Sequence, residues 1–166
     1  MPHRASRLIA IALIALTLAA CGFHLRGPQP LAFASVNISA SPYSELGAAL
    51  RRQVALSGTT TVEEDAAKAE VSLQILANER TREILSLTGA GKVREYELAQ
   101  RIRFRLIRTN GGEELIIPTE LLTRREYTFN DEEVLGKEQE EALLYRDMEA
   151  DLVRQIMRRL ASWQRQ

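Results

Sequence analysis

Cysteine and histidine are nearly missing from this 166-residue chain, which has one Cys, Cys21, and two His, His3 and His24. A single cysteine closes no internal disulfide, and one Cys with two His cannot complete the usual four-ligand Cys/His zinc site. Neither sign of charge is in excess, since 22 Lys and Arg stand against 22 Asp and Glu. A neutral chain has no overall field to attract nucleic acid or an anionic membrane surface, so such contact needs a local patch. There is no Gly-rich phosphate loop, Gly-x-Ser-x-Gly elbow, His-Glu-x-x-His or Cys-x-x-Cys. What remains, 45% hydrophobic and 27% charged residues, suits one folded domain of ordinary size.

Long apolar runs are also scarce. The one substantial run, residues 8–20, is thirteen residues broken only by Thr17, after a positive start of His3, Arg4 and Arg7. That is short of the about 20 residues a membrane span needs, and it has the form of a secretory signal peptide. It ends in Leu18-Ala19-Ala20-Cys21, small residues before a cysteine, as in a bacterial lipobox. On that reading a diacylglyceryl group is attached to Cys21 and the peptide is cut before it; the alternative is ordinary signal cleavage beside an unpaired cysteine. The lipobox gives a use to a lone thiol in an oxidising compartment. Gly22, where Asp would signal inner-membrane retention, favours outer-membrane sorting. The expected organisation is a signal peptide over 1–20, a lipidated tether over 21–33 with Gly27, Pro28 and Pro30, and one domain over 34–166. Cleavage leaves 20 basic against 22 acidic residues, a formal charge of −2, and one imidazole, His24, three residues from the anchor. Cysteine nucleophiles and His-dependent triads are thereby made unattractive. The acidic groups Glu63-Glu64-Asp65, Glu113-Glu114 and Asp131-Glu132-Glu133 lie in polar loop segments and read as solvated surface.

The periodicity predicts a strand over 35–39 with Val36 and Ile38 on one face. Ser41-Pro42 then supplies an N-cap and first helical residue for a helix carrying Leu46, Ala49, Leu50 and Val54, stopped by Gly58. Residues 59–69 read as a loop with a short edge strand. From Glu70 the period changes to two: Val71, Leu73 and Ile75; Tyr96, Leu98, Ile102, Phe104 and Leu106; then Leu115, Ile117, Leu121, Tyr127 and Phe129. Three antiparallel strands are implied, with bends at Gly89-Ala90-Gly91 and Asn110-Gly111-Gly112. A type I′ turn centred on Asn110-Gly111 sets Leu106 against Leu115, Phe104 against Ile117 and Ile102 against Thr119. On the other face it sets Arg101 against Glu120 and Glu97 against Arg124. Pro118 demands an edge or a bulge. A long amphipathic helix over 138–162, with Glu138, Glu140 and Glu141 in its first turn, completes the chain. The expected fold is α+β, a two-layer sandwich with two helices packed on one face of a mostly antiparallel four-stranded sheet.

Two features could carry binding. Arg101, Arg103 and Arg105 share one strand face at roughly 7 Å spacing; they either receive an anion or acidic partner, or are already paired with Glu120, Glu97 and their neighbours. The first hairpin has strands of some fifteen residues, longer than usual, and an inward parity that turns polar at Glu79, Thr81, Glu83 and Gln100. Its tip sets Lys92 and Arg94 beside Ile84, Leu85, Leu87 and Val93. That combination suits a phosphate-bearing amphiphile, unless a strand bulge hides the apolar groups.

The hexapeptide Cys21-Gly22-Phe23-His24-Leu25-Arg26, directly after a lipobox, resembles the start of the mature chain in the LptE family, lipopolysaccharide-assembly lipoproteins of the Gram-negative outer membrane. Length and element order agree over essentially the whole mature chain, as do the Glu95-Tyr96 pair beyond the hairpin turn and Lys137 after the last strand. The resemblance implies a protein that is not an enzyme and has no metal or cofactor beyond the lipid on Cys21. It implies a cell outer-membrane location, lipid-anchored in the inner leaflet on the periplasmic side, with no nucleic-acid partner. It also implies a plug seated inside an LptD-like β-barrel, which it helps to assemble, and binding of lipopolysaccharide. The family's lipopolysaccharide-binding cations lie at the hairpin tip and just after the last strand. Lys137 matches the second place; at the tip, where Gly89 takes the family's basic position, Lys92 or Arg94 substitutes. Arg101, Arg103 and Arg105 would then be partner-binding, turned to the polar barrel lumen. The rival is an outer-membrane lipoprotein serving as adaptor for another envelope enzyme or transport complex.

Overall fold

A computed structural model describes residues 30–130 and 134–163. The signal peptide, Cys21 and the rest of the hexapeptide, and Asp131-Glu132-Glu133 lie outside the described residues. Strand β1 (Ser35–Ile38) buries Val36 and Ile38, as its alternation requires. Helix α1 (Glu45–Ser57) starts later than the proline suggested. Ser44 is the N-cap, its Oγ accepting the Gly47 N–H at 3.1 Å, while Ser41-Pro42 forms a preceding turn closed by the Ser44 N–H on the Ser41 carbonyl. Gly47 lies so close to that turn that a Cβ there would sit 2.0 Å from the Ser41 oxygen. Gly58 ends the helix in the left-handed region at φ 71°, the conformation only glycine adopts cheaply. Arg51 fastens the β1–α1 connection to the helix, donating to the carbonyls of Ile38, Ala40 and Gly47.

Strand β2 (Thr61–Val62) and a single 3-10 turn (Ala66–Lys68) lead to β3 (Val71–Leu87), β4 (Val93–Arg108), β5 (Glu114–Thr128) and helix α2 (Val134–Ser162). The sheet order is β2-β1-β3-β4-β5; β1 runs parallel to β2 and β3, and the long strands are antiparallel. The class is the expected α+β. The fifth strand is the two-residue β2, and the parallel pairing of β1 makes the sheet mixed.

Both helices cover the basal half of one face, where Val36, Leu50, Leu73, Phe104, Ile156 and Leu160 form the core. Each fully buried side chain of this size contributes about 1.5–3 kcal/mol. This cluster takes in Leu31 and Phe33, in the segment expected to be tether. A second cluster, Leu98, Tyr127 and Met148, lies farther out, flanked by Tyr96, Phe129, Leu144 and Tyr145.

Single-residue bulges reset the strands. In β3, Ile75 faces Phe104 but Ala77 faces Arg103, so Leu76 is the extra residue. Beyond it the side facing the helices is occupied by Asn78, Arg80, Arg82 and Ile84, opposite Ile102, Gln100, Leu98 and Tyr96. This corrects the expected inward set: Gln100 is buried, but Glu79, Thr81 and Glu83 point the other way.

The β4–β5 turn departs from type I′. Among the described residues no non-glycine has positive φ, Asn110 included, and four residues are closed by Arg108 and Glu113, with positive φ at Gly111 and Gly112. The register next to the turn is nonetheless the expected one, Ile107 facing Glu114. Two shifts of one residue follow, so that Leu106 faces Ile116, Phe104 faces Thr119, Ile102 faces Leu121, Arg101 faces Leu122 and Glu97 faces Glu126. A slip of two leaves the faces beyond the irregularity unchanged, which is why Leu121 and Tyr127 stay inward as expected although their partners differ. Ile117 and Pro118 fall in the irregularity on the edge strand; Ile117 is 67% exposed and Ile116 takes the inward place. Arg101–Glu120 at 3.6 Å and Arg124–Glu97 at 3.5 Å do pair, as diagonal neighbours.

Helix α2 begins at Val134, so its first turn holds no acid, and Glu138, Glu140 and Glu141 stand beyond it. They are in no position to complement the helix dipole as expected.

Leu76 acts by its presence in the backbone, because its side chain is 37% exposed. Leu76→Ala is expected to cost less than about 1 kcal/mol in urea unfolding. Deletion of residue 76 closes the bulge with Ala77 still opposite Arg103 and with Arg80 and Arg82 still toward the helices, so it should cost no more than about 2 kcal/mol in the same assay.

Candidate functional site

At the hairpin tip, the Thr88 N–H donates to the Lys92 carbonyl at 2.7 Å and Gly91 turns the chain at φ 76°. A second bulge in β3, at Leu85, precedes it. The bulge does not hide the apolar groups, since Ile84, Leu85 and Leu87 are 57%, 47% and 55% exposed, beside exposed Lys92 and Arg94. The Phe129 N–H donates to the Arg94 carbonyl at 2.9 Å, bringing the end of β5, and with it the start of α2, to this end of the sheet. Lys137 therefore shares the tip end with Lys92 and Arg94. It lies in the first turn of α2 rather than in a loop after the strand, half-buried and paired with Glu140 at 2.8 Å.

Arg101, Arg103 and Arg105 lie on the sheet face that carries no helix. Arg105 donates to Gln74 at 2.8 Å and Glu114 at 3.0 Å, and Arg101 pairs with Glu120. Pairing thus accounts for two of the three. Arg103 is exposed and has no ion-pair partner among the described residues.

The most organised polar cluster is one that strand alternation alone did not reveal. Because the Leu76 bulge turns them toward the helices, Arg80 reaches Glu45 of α1 and Glu149 of α2, both at 2.9 Å, and Arg82 reaches Glu141 at 2.9 Å. Glu149 also accepts from Gln100, whose Nε2 donates as well to Asn78; the Gln100 Oε1 has no partner among the described residues. The Tyr127 hydroxyl donates to Glu141 at 2.7 Å, and the Tyr145 hydroxyl to the Thr81 carbonyl at 2.8 Å. Arg80 lies over the Tyr145 ring and Arg82 over Tyr96, which stacks on Tyr127 and meets Phe129 edge-on. Burial alone would lower the Arg80 pKa, but Glu45 and Glu149 outweigh it and hold it above its ordinary value. Hydrogen bonding to Glu141 raises Arg82. Burial first, and then Glu141, pushes the Tyr127 phenol well up, and burial raises Tyr145. These shifts keep the two arginines charged and the two phenols neutral near neutral pH.

Beside this cluster runs an open groove of about 330 Å³ lined by Glu45, Arg80, Arg82, Glu141, Tyr145 and Arg146, among others. Among the described residues no three His, Cys, Asp or Glu side chains are arranged to hold a metal ion, and no helix is long and apolar enough to cross a membrane. Two signals for the cluster were available: Glu149 on the apolar stripe of α2 between Met148 and Leu152, and the adjacent apolar pair Ile75-Leu76 breaking the alternation of β3.

A family model described as LptE, lipopolysaccharide-assembly, matches residues 33–160. The LPS-assembly lipoprotein LptE of Pectobacterium atrosepticum is 30% identical over 164 residues, covering 96% of this chain and 86% of that protein. Its namesake from Photorhabdus laumondii is 28% identical, covering 96% and 87%. Among solved structures, lipoprotein B of Nitrosomonas europaea superposes with a TM-score of 0.71 at 36% identity, over 86% of this chain and 92% of that one. The rare lipoprotein B of Shewanella oneidensis gives 0.67 at 27% identity, over 77% and 94%.

Glu149→Ala would leave Arg80 with only the exposed Glu45 and deprive buried Gln100 of an acceptor. With the Arg80 side chain 36% exposed, solvent moderates the loss, and about 2–3 kcal/mol of destabilisation is expected in urea unfolding. Arg80→Met with Glu149→Leu should regain most of it; an additive double variant would mean that the pair is not coupled.

Proposed function

The chain belongs to the LptE family of lipopolysaccharide assembly, and from that premise we propose that it is an outer-membrane lipoprotein that plugs an LptD-type β-barrel, helps it to assemble, and binds lipopolysaccharide bound for the cell surface. In this reading residues 1–20 are removed, Cys21 carries the lipid that holds the protein to the inner leaflet on the periplasmic side, and the protein catalyses no reaction. The observation that carries the lipopolysaccharide half is the tip end. Three large apolar side chains are left in solvent there, beside two exposed cations, with Lys137 at the same end.

A phosphorylated glycolipid in an aggregate is held by acyl-chain packing and by bridged phosphates, and a binder must compete with both. Lys92, Arg94 and Lys137 supply charge-assisted hydrogen bonds to phosphate, while Ile84, Leu85 and Leu87 offer acyl chains another apolar surface. Lys137 would exchange Glu140 for phosphate. The barrel half draws on the uncovered sheet face, where Arg101, Arg103 and Arg105 stand among carboxylates; a balanced polar face suits a polar lumen, and Arg103 is the strand arginine best placed to take a barrel carboxylate.

Two outcomes are expected. The acylated protein, extracted in mild detergent, should bring down an LptD-type barrel; its consistent absence would leave the adaptor reading in place. The combined variant Lys92→Glu, Arg94→Glu and Lys137→Glu should capture purified lipopolysaccharide at least about tenfold more weakly with an unchanged circular-dichroism melt. Undiminished capture would remove these three residues from the site.

A further inference from the structure

The longest strand of the sheet is half uncovered along one edge. β1 pairs with β3 only from Val71 to Leu73, and the last contact on that side is the Ile75 N–H on the Ser39 hydroxyl. Beyond this β3 runs to Leu87 with β4 alone beside it, and every residue from 78 to 85 is exposed. Bulges at Leu76 and Leu85 delimit a regular stretch, residues 77–84, about 26 Å long. An open edge offers N–H and C=O groups in alternation at strand spacing, a pattern that an extended polypeptide backbone matches and a lipid or sugar does not. Leu73 and Ile75, opposite Leu106 and Phe104, both bond toward β1, so beyond the Leu76 bulge the outward N–H and C=O groups are those of the residues opposite Ile102, Gln100, Leu98 and Tyr96, namely Asn78, Arg80, Arg82 and Ile84. The groove beneath α2 opens beside Arg80 and Arg82 on this stretch, leaving room for side chains that an added strand would turn inward.

We propose that residues 77–84 of β3 accept an extended segment of the barrel partner as a sixth strand. The proposal rests on the barrel reading above and names the surface that does the gripping. Charge chooses the occupant. Glu79 and Glu83 project to one face of the stretch and Arg80 and Arg82 to the other. A second copy of β3 paired antiparallel about Thr81 would set Glu79 against Glu83 and Arg80 against Arg82, like charges directly opposed on both faces. A heterologous strand avoids this. It would carry Lys, Arg or Thr on the helix-free face opposite Glu79 and Glu83, and neutral polar or acidic side chains toward the groove, where Arg80 and Arg82 already have carboxylates.

Asn78→Pro is the direct test. The Asn78 N–H points off the sheet, so proline there removes an edge donor without breaking a β3–β4 bond, and Asn78→Ala, which loses the same side-chain acceptor for Gln100, is the reference for every readout. The protein is co-expressed with an LptD-type barrel, and three quantities are read: barrel co-purified, lipopolysaccharide captured by the isolated protein, and thermal midpoint. A loss of about tenfold or more in barrel, with capture and midpoint unchanged, supports the edge. Full retention by Asn78→Pro overturns it while leaving the barrel reading intact. No barrel with the unsubstituted protein overturns that reading and this proposal together. Should Asn78→Pro fold poorly, a photo-crosslinking residue at Glu79 or Glu83 decides. Crosslinks to one short barrel segment support the proposal; crosslinks to a second copy of this chain, or none to the barrel, overturn it.

Discussion

One inserted residue, Leu76, governs the outer half of the molecule. Strand side chains alternate with a period of two, so a single extra residue exchanges the faces of everything that follows. Up to Ile75 the alternation of β3 buries Val71 and Leu73; past the bulge the helix side receives Asn78, Arg80, Arg82 and Ile84. Had the alternation continued, Glu79, Thr81 and Glu83 would have met an α2 face that already carries Glu141 and Glu149. With the bulge, arginines meet those carboxylates, and the two helices are tied to the strand through a polar layer between the apolar base and the aromatic cluster around Tyr96 and Tyr127.

That layer changes how the domain is held together. At the base, stability comes from close packing of side chains such as Leu50, Phe104 and Ile156, which tolerates no charge. Farther out it comes from ion pairs that are partly wet: the Arg80 and Arg82 side chains are 36% and 48% exposed. Exposed pairs contribute little each, while Glu149, nearly buried, depends on its partners. The outer half is therefore built to hold its shape among polar surroundings, and it leaves an edge and an apolar tip uncovered.

How much of this was legible in the sequence follows from what each element depends on. The basal strands and both helices were, because Val71, Leu73, Phe104, Leu106 and the stripe from Met148 to Leu160 repeat at the spacing of their elements. The α1 start was not: Ser41-Pro42 is a good cap locally, but the tight contact of Gly47 with the Ser41 carbonyl, which makes Ser44 the cap, exists only in three dimensions. The second hairpin kept its faces although its partners slid, since Pro118 announced an irregularity without saying how many residues it would absorb. Arg80 and Arg82 are hidden from the sequence, because strict alternation across Ile75-Leu76 puts them on the opposite face from the one the bulge gives them. At the tip the cations and exposed apolar groups were legible together, but Lys137 belongs to α2, a helix that starts earlier than its apolar stripe.

The parallel β1 has a consequence for reach. Leu31 enters the fold beside Thr59, at the end of the sheet where β3 begins, and β1 runs toward the hairpin tip from there. The chain's entry and the tip are thus separated by the length of β3, 17 residues, or about 55 Å of strand. A bilayer's hydrocarbon is about 30 Å thick. The domain is a ruler longer than that layer: on the reading proposed above, which holds its entry end near one leaflet, its tip would stand level with the other without any part of it unfolding or shifting.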